Sequence, residues 1–242
     1  MGRSGLNRKR YANQRQRALM NAARLPGLRR LPNIKGDIGK RSMKTIIFDF
    51  GNVVGFVDHQ RGLEKLRPFT ALTPEAMVAS AYDGELEDQF ERGLLTPLAF
   101  LEQAHQLWQL RCDIEFLAEA FGDIFCPNPE VCDLIPKLAR HHRILLGSNT
   151  NAIHSQRFTV QFADVLSHFD SLVLSHEIGA RKPATEFFRH CHDLADAQTS
   201  ECVFVDDLVA NIDGARAFGF HGIVYRPHAN LAEPLRSLGV VI

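Results

Sequence analysis

The stretch "KTIIFDFGNVVGFVD", residues 44–58, decides how the rest of the chain is read. Its first half is a continuous apolar run, and a carboxylate, Asp49, closes it. Apolar residues without alternation are what a strand buried on both faces of a parallel sheet requires. Two positions beyond Asp49, where a second carboxylate would complete an acid/base pair, the chain carries Gly51.

Four further runs of the same kind follow: "RILLGS" (143–148), "SLVLS" (171–175), "CVFVD" (202–206) and "GIVYR" (222–226). Helical patterns fill the intervals at about 130–141, 152–166, 184–196 and 209–218. Strand and helix in alternation predict an α/β fold built on a doubly wound parallel sheet. The first run is separated from the second by residues 59–128, which hold no comparable strand. Their signals are helical: "TPEAMVASAYD" and "TPLAFLEQAHQLWQL" each open on Thr-Pro, a cap followed by proline at the first helical position, and "DIEFLAEAFGDIF" adds a third. The expected organisation is a core of residues 43–58 and 129–242 with a helical cap, 59–128, inserted after the first strand. That cap would overhang the carboxyl edge of the sheet, where ligands of such folds bind.

At 242 residues and 45% hydrophobic, the chain can bury one sizeable core. The formal net charge is zero, but residues 1–42 hold 12 of the 28 lysines and arginines and only one acid, Asp37, so that residues 43–242 are left at −11. This basic arm, 1–42, has the composition of a disordered segment. It reads as an upstream extension with Met43 as the working start, as a tail for nucleic acid or acidic surfaces, or as an Arg-rich targeting segment. Nucleic-acid contact is expected only through it. No apolar run approaches the ~18 residues of a membrane span, and a cytoplasmic protein is expected. Five cysteines without CxxC spacing suggest neither a disulfide framework nor a zinc site.

The chemistry gathers at strand ends. Asp49 closes the first run, "GSNTN" (147–151) the second, "ARKP" (180–183) follows the third and "VDDLVAN" (205–211) closes the fourth. In a parallel sheet these ends share one edge. Asp206 and Asp207 brought beside Asp49 would repel one another, and a hard divalent cation with oxygen ligands relieves that repulsion. Asn211, one helical turn on, can hold a ligand of the metal or a water near it. Ser148 and Asn149 offer a hydroxyl and an amide at a strand-to-helix turn, whereas Thr150 and Asn151 read as helix caps. Lys182 can neutralise a phosphate. A nucleophilic carboxylate, a hydroxyl, a lysine and an acidic metal site together specify phosphoryl transfer through an aspartyl-phosphate.

Over residues 43–226 the motifs "FDFGNVVGFVD", "GSNTN", "GARKPATEFF" and "VFVDDLVANIDGARAFG", in this order, resemble the haloacid dehalogenase (HAD) superfamily, and most closely its small sugar-phosphate phosphatases acting on hexose 1-phosphates. The resemblance implies a HAD-like Rossmannoid fold and a Mg²⁺-dependent phosphomonoester hydrolase acting on a small phosphorylated metabolite. It makes Asp49 the nucleophile and a metal ligand, with Gly51 contributing its carbonyl. Asp207 would be the direct carboxylate ligand, with Asp206 beside the ion. Ser148 and Asn149 would hold phosphoryl oxygens, and Lys182 would pair with both Asp49 and the phosphate.

Most phosphatases of the superfamily carry Asp where this chain has Gly51, and losing a general acid/base typically removes a factor of ~10²–10⁴. A leaving group more acidic than an ordinary alcohol, such as the anomeric hydroxyl of a sugar 1-phosphate, needs less protonation, so that substrate class is expected. Asp58, His59 and His176 are candidate surrogates. The cap is expected to choose the substrate, with "DGELEDQFERGLLTP", residues 83–97, as the candidate stretch; its acids and Arg92 read either as hydroxyl-binding groups or as a solvated helix face. Two rivals remain: a metal-independent dehalogenase, which needs no acid for a halide, and a non-catalytic phosphate-binding or interaction protein.

Overall fold

The computed structural model describes residues 45–242 except Tyr82 and Asp83; the basic arm and Met43 lie outside the described residues. Strand β1 (Thr45–Phe48) is followed by the short β2 (Gly55–Val57) and five helices: α1 (His59–Leu66), α2 (Pro74–Ala81), α3 (Glu85–Glu91), α4 (Pro97–Leu107) and α5 (Ile114–Gly122). The chain returns through β3 (Phe125–Pro127) and two single-turn helices, α6 (Pro129–Cys132) and α7 (Ile135–Leu138), to β4 (Arg143–Ser148). Then come α8 (Ala152–Gln161), α9 (Ala163–Leu166), β5 (Ser171–Leu174), α10 (Ser175–Ile178), α11 (Thr185–Ala195), β6 (Cys202–Asp206), α12 (Val209–Phe218), β7 (His221–Val224) and α13 (Ala232–Ser237).

Five strands form one sheet in the order β5-β4-β1-β6-β7, and every pairing is parallel. The five apolar runs of the sequence are these five strands. Their continuous hydrophobicity has a direct cause. Along β1, Ile46 and Phe48 face one hydrophobic cluster and Ile47 the other, and the same alternation splits Val203 and Val205 from Phe204 in β6. Both faces are covered, so neither can be polar.

Residues 59–122 form the five helices α1–α5 around a third cluster that includes Phe90, Phe100, Trp108 and Phe121. Two of these helices, α1 and α3, go beyond the three that the Thr-Pro and Asp caps mark. Thr73 and Thr96 do cap α2 and α4, accepting hydrogen bonds from the backbone N–H groups of Ala76 and Ala99. Trp108, fully buried, donates its indole N–H to the Met77 carbonyl and the Ser80 hydroxyl. The stems of this insertion, β2 and β3, pair antiparallel with Val57 opposite Phe125. The continuous helix expected at 130–141 is two short ones, because Pro136 has no N–H to donate within a longer helix. Gly93, at φ +68°, lets the chain after α3 lie against the backbone of α10; a Cβ there would meet the His176 carbonyl oxygen at 2.2 Å. Among the described residues no helix is long and apolar enough to cross a membrane.

Candidate active site

Asp49 stands just past β1, where its backbone N–H still donates to the Val205 carbonyl of β6 (2.8 Å). The neighbouring strand ends converge on it because the sheet is parallel and in register: Phe48 pairs with both Leu146 and Val205. Carboxylate oxygens of Asp49, Asp206 and Asp207 all lie within 4.8 Å of one another. Lys182 Nζ is 2.7 Å from Asp49 Oδ1 and 2.7 Å from Asp206 Oδ2, and Lys182 is only 4% exposed.

Three carboxylates against one ammonium would, all ionised, leave the cluster two negative charges in excess. Burial, opposed by Lys182 and reinforced by Asp206, holds the Asp49 carboxyl well above its ordinary range, and burial raises Asp207 as well. Burial works against the Lys182 ammonium, but Asp206 and Asp49 outweigh it and the net direction is upward. A hard divalent cation supplies the missing positive charge, and the carboxylate oxygens of Asp49 and Asp207 suit one. Asp206 is differently employed. Its two oxygens accept hydrogen bonds from Lys182 Nζ, from the Leu208 N–H and, both of them, from Asn211 Nδ2. That leaves Asp206 to orient Lys182 beside the cation.

Asn52, one residue past Gly51 and at φ +54°, donates from Nδ2 to Asp207 Oδ2 (3.0 Å) while its Oδ1 accepts from the Val57 N–H (3.2 Å). The sequence reading missed this residue; its only signal is an asparagine, which tolerates positive φ, directly after the glycine. Asn149 spends its side chain on the main chain of Lys182, its Nδ2 donating to the Lys182 carbonyl (3.1 Å) and its Oδ1 accepting from the Lys182 N–H (2.8 Å). This pair holds the side chain of Asn149 against the main chain of Lys182. Asn151 caps α8 as expected, accepting from the N–H groups of Ile153 and His154.

A pocket of about 150 Å³ opens in front of this edge, lined by Phe50, Gly51, Ser148 and Asn149 on one side and by His59, Glu87 and Glu91 from the inserted helices. Of the three surrogate acids, His59 alone lines it. Asp58 caps α1 through the Arg61 N–H (3.3 Å), and His176 lies 3.3 Å from the Ser155 hydroxyl. Burial, opposed by Asp58, lowers the His59 pKa, which favours the neutral ring. Burial pushes the Glu91 carboxyl upward while Arg181 pulls it back.

The model of the haloacid dehalogenase-like hydrolases matches residues 43–219. This chain belongs to that family. Among curated relatives of the hydrolase is a D-ribitol-5-phosphate phosphatase from Bacteroides thetaiotaomicron, 26% identical over 206 residues, covering 83% of this chain and 98% of the relative. A sesquiterpene phosphatase from Aspergillus oryzae is 26% identical over 205 residues, covering 81% and 97%. Among solved structures, a HAD family enzyme from Bacteroides thetaiotaomicron, a mutant in complex with magnesium and inorganic phosphate, superposes with a TM-score of 0.72 at 22% identity over 80% of this chain and 99% of that one. The doubly wound sheet is thus the fold of the family.

Proposed function

We propose that this HAD-family hydrolase is a Mg²⁺-dependent phosphatase that cleaves a small phosphomonoester through an aspartyl-phosphate on Asp49. The observation that carries the reading is the trio Asp49, Asp206 and Asp207 within 4.8 Å, the first two bridged by one buried lysine. The curated relatives named above are phosphatases, and magnesium and phosphate occupy the Bacteroides structure. Asp49, Asp207 and the Gly51 carbonyl would hold Mg²⁺, which would supply positive charge for the phosphoryl oxygens and favour the ionised Asp49 carboxylate.

Asp49 then attacks phosphorus in line, the P–O bond to the alcohol breaks, and an acyl phosphate remains on its side chain; water cleaves that intermediate and restores the carboxylate. Lys182, already seated against Asp49, offsets charge on the transferring group without moving. The Ser148 hydroxyl and the backbone of Asn149 donate to phosphoryl oxygens. Asn52 and Asn211 fix the rotamers of Asp207 and Asp206. With glycine at position 51, no carboxyl protonates the departing oxygen there, which favours an anomeric leaving group and hence a sugar 1-phosphate. The helices α1–α5 act as the cap that closes over the substrate.

A metal-independent dehalogenase is not favoured: it would bring a carboxylate substrate to a site where three carboxyl groups face one ammonium. The test is phosphate release from a panel of sugar, alditol and nucleotide monophosphates with and without Mg²⁺, beside Asp49→Asn and a haloacid control. Metal-dependent release that the variant loses is expected. Halide release without metal, or turnover that survives Asp49→Asn, would overturn the reading.

A further inference from the structure

Helix α3 carries four acids, Glu85, Glu87, Asp88 and Glu91; Asp83 precedes it and Arg92 follows. Asp83 lies outside the described residues. The structure sorts the others. Glu85 accepts from Gln89 Nε2 at 2.9 Å, and Arg92 donates from Nε to Asp88 at 2.8 Å, so these pairs are spent along the helix itself. Glu87 and Glu91, one turn apart, are the two that line the pocket.

Glu91 is 7% exposed and is held by a residue from the other side of the site. Arg181 reaches from the loop after α10 to Glu91 Oε2 (2.8 Å) and to Asp88 Oδ1 (2.8 Å). The next residue, Lys182, points the opposite way, to Asp49 and Asp206, and its backbone is clamped by Asn149. Two consecutive side chains therefore tie α3 to the nucleophile. Gly93 pressing on the His176 backbone adds a second anchor for the same helix.

We infer that Glu91 is a specificity-determining residue that accepts hydrogen bonds from hydroxyls of the leaving group, with Glu87 beside it, and that Arg181 is the positioning residue that aims it. This rests on the phosphatase reading above. The volume, about 150 Å³, is below the roughly 300–1,000 Å³ of pockets for drug-sized ligands, which suits a short alditol or a single sugar ring. The wall of Phe50, Phe125, Val57 and Ile124 takes the C–H face of such a group while the two carboxylates take its O–H groups. A terpenyl group has no donor to offer and would strip water from Glu91 without replacing its hydrogen bonds, an uncompensated cost.

The experiment compares kcat/KM for an alditol or aldose phosphate with that for p-nitrophenyl phosphate, whose leaving group presents no aliphatic hydroxyl. Glu91→Gln and Arg181→Met are each expected to lower that ratio at least tenfold, with Arg181→Lys recovering part of it. A ratio within threefold of wild type in both variants would overturn the inference. Binding is read separately, as the thermal shift given by the alditol phosphate relative to inorganic phosphate. Wild type should be shifted more by the alditol phosphate and Glu91→Gln equally by the two; equal shifts in wild type would sink the inference. Loss of turnover with the binding difference intact would instead sink the phosphatase reading alone.

Discussion

Position 51 has room for a side chain. A Cβ built on Gly51 meets only Val57 Cγ2, at 3.4 Å, and the glycine is not at positive φ. What the site lacks is a group to protonate the departing oxygen, not space for one. Gly51→Asp should therefore raise kcat on alkyl phosphates by tenfold or more, part of the ~10²–10⁴ that general acid/base catalysis is worth. The gain should be smaller on sugar 1-phosphates, whose leaving groups need less help. Steady-state kinetics across leaving groups of graded acidity tests this; an equal gain on every ester would mean that the new carboxylate acts on the metal or on folding instead.

Between elements, two polar contacts besides those of Arg181 join the inserted helices to α8. Asp123, at the exit of α5, receives Arg61 and Lys65 from α1 and Arg157 from α8, with its own side chain 10% exposed. Asp123→Asn would leave three cations facing one another. The cations are about half exposed, so solvent screening limits the loss to about 1 kcal/mol. Differential scanning should find Tm lower by roughly 2–4 °C, with the deficit shrinking in high salt. An unchanged Tm would show that the cluster contributes nothing to stability.

The second contact is His154, stacked on Phe121 with ring centroids 4.4 Å apart. Its Nε2 donates to the Phe121 carbonyl (3.1 Å) and its Nδ1 accepts from Asn151 Nδ2 (2.9 Å), an arrangement that needs the neutral ring. Burial pushes its pKa down to about 3. The unfolded chain takes up a proton at this residue near pH 6.5, and the native state does so only near 3, so stability falls as pH drops through that window. The slope from this one group reaches up to ~1.4 kcal/mol per pH unit. Denaturant melts between about pH 7 and pH 5 should fall less steeply in His154→Leu than in wild type. Parallel slopes would show that the imidazole is protonated without penalty.

For the whole molecule, a cation that binds only the folded site must raise the melting temperature. Saturation at ~100 times Kd contributes about 2.7 kcal/mol, a shift of roughly 5–10 °C. Wild type should show this with Mg²⁺ and lose it on chelation, and Asp207→Asn should show little of it. A shift that persists in the variant would move the metal away from Asp207. The sequence made the sheet legible because five runs had to be apolar on both faces, and it made Asp49, Ser148, Lys182 and the Asp206-Asp207 pair legible because each ends or follows a strand on one edge. Other features left no such mark. Glu87 and Glu91 cannot be separated from Glu85 and Asp88 without knowing which face of α3 lines the pocket. Strands β2 and β3 are three residues each, with partners far apart in the chain, so no periodicity announces them.

That small ribbon has a consequence for how the molecule is assembled. Val57 and Phe125 are opposite one another, so the chain leaves the sheet and returns to it at neighbouring points. The five helices hang as a pendant from a single stalk, and the parallel strands owe none of their pairings to them. Replacing residues 58–124 with a two-residue turn would convert the stalk into an ordinary β-hairpin. The same attachment permits exchange: a different helical pendant grafted between Val57 and Phe125 would meet the same strand ends and the same register, leaving the nucleophile where β1 puts it.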